Sequence, residues 1–151
     1  MPKLHVKILL PLFLLVALLP AQSPAQKPQQ NTFDDQAASQ MLMQMSEALE
    51  GHSQKQFLAV FDVDKMPDGL IFKQQISSFF SQTESIRVHM NLIEVTAEGE
   101  NATVSVAAEI EAEPRNGGPL VHQNEQITFT AADSPKWKFI DVQPRGFFSL
   151  P

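Results

Sequence analysis

Between residues 86 and 142 apolar side chains recur at every second position in four runs, separated by clusters of turn-forming residues. A period of two puts one face of each run against a core and leaves the other in water, the pattern of half-buried antiparallel strands. The second run is the most regular: Val104, Val106, Ala108, Ile110 and Ala112 share one parity, and Thr103, Ser105, Glu109 and Glu111 share the other. In the first, Ile86, Val88, Met90 and Leu92 alternate until Ile93 and Val95 break parity, where a β-bulge or the end of cover on one face is expected. The third carries Val121, Ile127, Phe129 and Ala131 on one side, with Gln123 and Glu125 in the same row. The fourth, "WKFIDV", places Trp137, Phe139 and Asp141 together, opposite Ile140 and Val142. Turns are expected at residues 97–101, 114–119 and 133–135, which hold the glycines and prolines between the runs.

A four-stranded sheet with one greasy face needs a cover, and the preceding segment supplies three amphipathic patterns. Ala38, Met41, Leu42, Met45 and Leu49 keep the spacing of one helical face, with Thr32 and Asp35 as an N-terminal capping box and Gly51 as the stop. Ser53 and Gln56 repeat the capping pattern ahead of a short helix with Phe57, Leu58 and Phe61 facing inward. Pro67 is placed to open a third helix, carrying Phe72, Ile76, Phe79 and Phe80 on one side. At the other end Phe147 and Phe148 are expected to fold back over an open sheet edge. The predicted fold class is α+β: three N-terminal helices packed on a strongly curved four-stranded antiparallel sheet, forming a cone with a pocket.

The first 25 residues have a different character. Lys3, His5 and Lys7 precede an apolar run at residues 8–19 and the small-residue stretch "PAQSPAQ". This is the order of a secretory signal peptide cut near Gln26, and twelve apolar residues fall short of the roughly 20 that a membrane-spanning helix needs. Residues 26–32 read as a disordered lead-in, and residues 33–151 as one domain, secreted or periplasmic and without a membrane anchor once cut. Removing Lys3 and Lys7 takes the net charge from −6 to −8, an acidic surface that excludes nucleic acid as a partner. The absence of cysteine rules out disulfides and thiol chemistry.

Helices first, then a meander ending in "WKFIDV", resembles the nuclear-transport-factor-2-like superfamily, with its ketosteroid-isomerase-like and SnoaL-like (polyketide-cyclase-like) domains. The resemblance covers residues 33–148 and implies a cone-shaped α+β fold with a pocket at its wide end. Isomerase members place a tyrosine hydroxyl in an oxyanion hole, and this chain has no tyrosine. By position, the resemblance offers Asp141 as an acid, with Gln123, Glu125 and Trp137 around it as ligand-binding residues. An acid in an apolar cup has a raised pKa and serves as a general base.

Other constellations carry less. Met41 and Met45 share a helical face but Met43 points about 200° away, so the three make no copper site at the helical period. His52, His89 and His122 lack metal-ligand spacing, and neither a G-x-S-x-G nor an H-E-x-x-H motif occurs. "NAT" at Asn101 is a glycosylation sequon in a turn. No metal or cofactor is expected. The leading expectation is therefore an exported, non-catalytic domain that binds an apolar ligand or a protein partner through its cone. The alternative is an isomerase, dehydratase or hydrolase of a small apolar substrate, with Asp141 or Glu125 as base. A polar outer sheet face leaves room for no more than a weak homodimer.

Overall fold

The computed structural model describes residues 32–133 and 135–151; the leader and all of the lead-in but Thr32 lie outside them. Three helices, α1 (Asp35–Glu50), α2 (Gln54–Ala59) and α3 (Gly69–Gln82), precede four strands, β1 (Thr83–Glu98), β2 (Asn101–Pro114), β3 (Val121–Asp133) and β4 (Trp137–Gln143). A 310 turn at Val63–Lys65 joins α2 to α3, and another at Arg145–Phe148 follows β4. The strands form one antiparallel sheet in sequence order, a pure meander with no crossover.

The α1 helix is capped two residues later than the expected box. Asp34 rather than Thr32 takes the cap, its Oδ1 accepting the Ala37 N–H at 2.8 Å, and Phe33, which a cap at Thr32 would put in the first turn, is instead buried ahead of the helix. Ser53 caps α2 as its sequence pattern requires. Pro67 does not open α3; Asp68 is the N-cap, in the left-handed region at φ 53° and without a side-chain cap bond. Gly69 follows because only glycine fits there: a Cβ would stand 1.9 Å from the Val63 carbonyl oxygen. The α3 helix then runs into β1 without a loop, and the buried Thr83 hydroxyl donates to the Phe79 carbonyl at 2.8 Å.

The expected inner row of β2 is wholly buried, and Ala38, Leu42, Met45, Ala48 and Leu49 of α1 meet it in a single core. Met41 packs at the rim of that core, and Met43 is exposed. The parity break in β1 is a bulge: Leu92 pairs with Val106 and Glu94 with Ser105, leaving Ile93 over. Another bulge lies in β4, where Phe139 pairs with Ala131 and Asp141 with Thr130, leaving Ile140 unpaired. One extra residue reverses the facing of everything after it. Phe139 and Val142 therefore both point into the core, and Asp141 joins Thr130 on the opposite face, contrary to the period-two reading.

Each edge of the sheet is engaged by a neighbouring segment. Glu50 of α1 accepts the Val88 N–H of β1 at 3.2 Å, and the chain after α2 bridges β4, with Phe139 N–H donating to the Val60 carbonyl at 3.0 Å and Asp62 N–H to the Phe139 carbonyl at 2.8 Å. Beyond the end of β4, Gln123 of β3 donates to the Ser149 carbonyl at 2.9 Å, and Phe147 and Phe148 are buried. The C-terminal segment thus closes the edge as expected.

Candidate functional site: a groove outside the cone

Between the helices and the sheet, where the cone pocket is expected, the space is taken by phenylalanine. Phe129 stacks on Phe139 with ring centroids 4.5 Å apart; Phe61 lies against both, and against Phe72 at 5.0 Å. Phe57 and Phe148 meet edge to face at 5.2 Å. Each of these six rings is no more than 2% exposed. Aromatic side chains of this size fill a hollow rather than line one.

The four residues expected around a pocket do not converge. Trp137 is half-buried with its ring 4.8 Å from Phe33, part of the packing under the start of α1. Gln123 is spent on the C-terminal segment. Glu125 shares the inward parity of its strand, opposite Ala108, but is exposed. Asp141 faces the other side of the sheet from Glu125, a consequence of the bulge at Ile140. There Arg145 Nη2 donates to its Oδ1 at 2.9 Å and Gln143 Nε2 to its Oδ2 at 3.3 Å. Partial burial pushes the Asp141 carboxyl up, but these bonds and the Arg145 charge outweigh it and hold the group below its ordinary value. The carboxyl is lowered, not raised as an apolar cup would make it, which suits an ion-paired brace and not a general base.

An open cavity lies elsewhere. A groove of about 830 Å3 runs between α2, the 310 turn and α3, walled by Lys55, Leu58, Val63, Asp64, Leu70 and Lys73. No strand residue lines it, so it lies outside the space between helices and sheet. Its floor is set by two close approaches: buried Met66, and Gly69 against the backbone of Val63. Leu70 is 70% exposed, and its neighbour Ile71 62%. Both stand off the buried side of α3, which carries Phe72, Ile76, Phe79 and Phe80. Two large apolar residues on the wet side of an amphipathic helix are the signal in the sequence that sequence reasoning passed over.

The charges around the groove run against those of the domain. Residues 1–31 hold Lys3, Lys7 and Lys27 and no acid, so the −6 of the whole chain becomes −9 from Thr32 onward. The groove itself holds Lys55, Lys73 and Asp64, a net charge of +1. Among the described residues neither lysine is in an ion pair, whereas Lys65 nearby is paired with Asp62 at 3.5 Å. The outer sheet face is by contrast internally paired, His122 with Glu109 at 2.6 Å and Arg87 with Glu111 at 3.8 Å. No group of three metal-ligating side chains occurs among the described residues.

Comparison with known proteins places this architecture. No protein-family model matches the chain, and no curated protein matches it by sequence. Solved structures do match in fold. A scytalone dehydratase-like protein from Novosphingobium aromaticivorans superposes with a TM-score of 0.62 at 16% identity, over 71% of this chain and 79% of that one. A nuclear transport factor 2-like superfamily protein from Salmonella enterica gives 0.61 at 11% identity, over 71% and 86%. A ketosteroid isomerase-like protein from Erwinia carotovora gives 0.56 at 16% identity, over 73% and 95%. Three helices on a four-stranded antiparallel meander, not closed into a barrel, make this a chain with the nuclear-transport-factor-2-like fold.

Proposed function

We propose that the chain is an exported, non-catalytic binding domain whose ligand lies in the groove between α2, the 310 turn and α3, and not in the cone. The observation that carries this reading is where apolar surface has been left uncovered. The hollow of the cone is filled with buried phenylalanine, while Leu58, Val63 and Leu70 flank an open groove of about 830 Å3, within the size range of small-molecule sites. Export rests on the basic start, short apolar run and small residues of the leader. The acidic charge of the domain speaks against nucleic acid as the partner.

Native mass spectrometry of the protein purified from its exported form tests the reading. A co-purified small molecule is expected on the wild type and is lost from Leu70→Glu, which puts a charge into the groove at an exposed position. An adduct that survives Leu70→Glu overturns it. The mass of the mature chain reports the leader at the same time, with a start near Gln26 expected.

A second reading, an isomerase, dehydratase or hydrolase acting on a small apolar substrate, is favoured by the dehydratase-like and isomerase-like names among the structural neighbours. It needs a carboxylate held in an apolar pocket, and Asp141 is committed to Arg145 while Glu125 is exposed. Unchanged turnover of any discovered substrate by Asp141→Asn and Glu125→Gln removes both bases from consideration; a loss of a hundredfold or more, of the size general acid–base catalysis contributes, restores this reading.

A further inference from the structure

Building on the groove as the binding site, we infer that its ligand is an amphipathic anion, an aliphatic chain ending in a carboxylate. The apolar wall of Leu58, Val63 and Leu70 takes the chain, and the ammonium groups of Lys55 and Lys73 take the head. In a domain of net charge −9, cations are scarce: of eight lysines and arginines from Thr32 onward, two stand at this one groove. Lys65, in the 310 turn beside the groove, is by contrast held by Asp62. Lys55 and Lys73 come from different helices, α2 and α3, and have no carboxylate partner among the described residues. An ammonium is best satisfied by a charged acceptor, and charge-assisted hydrogen bonds are about twice as strong as neutral ones.

The one acid in the groove, Asp64, sets the selectivity. It lies in the 310 turn, is exposed, and belongs to no ion pair among the described residues. With two lysines against one aspartate the groove carries a single net positive charge, matched by one carboxylate. A cation gains nothing from that balance, and a neutral chain of the same length leaves both exposed ammonium groups to water. The volume of about 830 Å3 accommodates a chain of medium length.

Isothermal titration of the full mature protein at neutral pH with dodecanoate, dodecan-1-ol and acetate, all below any micelle-forming concentration, tests the inference. Three proteins are compared: wild type, Leu70→Ser, and the double variant Lys55→Gln/Lys73→Gln. All three positions are exposed, so folding is unaffected. The expected result is that dodecanoate binds about tenfold more tightly than dodecan-1-ol, an advantage the lysine variant loses, while Leu70→Ser weakens both chains and acetate does not bind. Equal binding of dodecanoate and dodecan-1-ol, both weakened by Leu70→Ser, overturns the anionic head and leaves the groove standing. Binding that Leu70→Ser does not change, or no binding of either chain, overturns the groove reading itself.

Discussion

Arg145 donates through Nη2 to Asp141 Oδ1 at 2.9 Å, four residues back, on the face of the sheet opposite the core. Neither side chain is more than about a quarter exposed, at 22% and 26%. The Asp141 carboxyl is lowered from its ordinary value, so the pair contributes stability that is fully present above the pKa of an unfolded aspartate and is lost as pH falls through the lower folded value. Asp141→Asn therefore costs about 1 kcal/mol at neutral pH and flattens the acid limb of stability below about pH 4. Urea unfolding as a function of pH measures both. Asp141→Ala costs more, because Arg145, whose Nε is already buried without a partner, then loses its carboxylate as well.

Filling the cone with rings has a consequence for stability and for binding. Phe139→Ala removes the ring stacked on Phe129 at 4.5 Å and touching Phe61 at 5.8 Å. It is expected to cost about 3–5 kcal/mol and to open a dry apolar cavity. If the variant stays folded, that cavity takes up benzene or xenon as the wild type does not, which crystallography under xenon pressure detects.

Phe33 lies ahead of α1, is 2% exposed and sits 4.8 Å from the ring of Trp137, the sole tryptophan of the chain. Phe33→Ala is expected to lower stability by about 3 kcal/mol and to shift the tryptophan emission to the red, as water reaches the indole. Steady-state fluorescence reads the second effect without unfolding the protein.

Gly69→Ala drives a Cβ to 1.9 Å from the Val63 carbonyl oxygen, a contact that only movement of the 310 turn relieves. The expected cost is at least about 2 kcal/mol, more than the roughly 1 kcal/mol that alanine gains over glycine within a helix. Thermal unfolding checks the sign: a raised Tm contradicts the close approach that shapes the groove floor.

Most of the architecture was legible because period-two and period-3.6 patterns report burial directly. The rows Val104 to Ala112 in β2 and Ala38 to Leu49 in α1 meet as their spacing demands, and the bulge at Ile93 announced itself by a broken parity. The bulge at Ile140 did not. The run Trp137, Phe139, Asp141 alternates well enough to hide it, since Ile140 is apolar and half-buried. That one residue carried Asp141 to the other face and took the presumed pocket acid away. The cone's filling was equally invisible, because alternation says which residues face inward and not whether the ten phenylalanines from residue 33 onward leave space between them. The groove depends on a local packing event, Gly69 against Val63, which no periodicity encodes.

The claim that the site lies outside the cone is tested most directly by amide chemical-shift mapping of the 15N-labelled protein titrated with dodecanoate. Shifts are expected at Leu58, Asp64, Leu70 and Lys73, with Ile127, Phe129 and Phe139 unmoved. Shifts concentrated at Ile127, Phe129 and Phe139, with the α2 and α3 residues silent, would place the ligand inside the sheet and contradict the account.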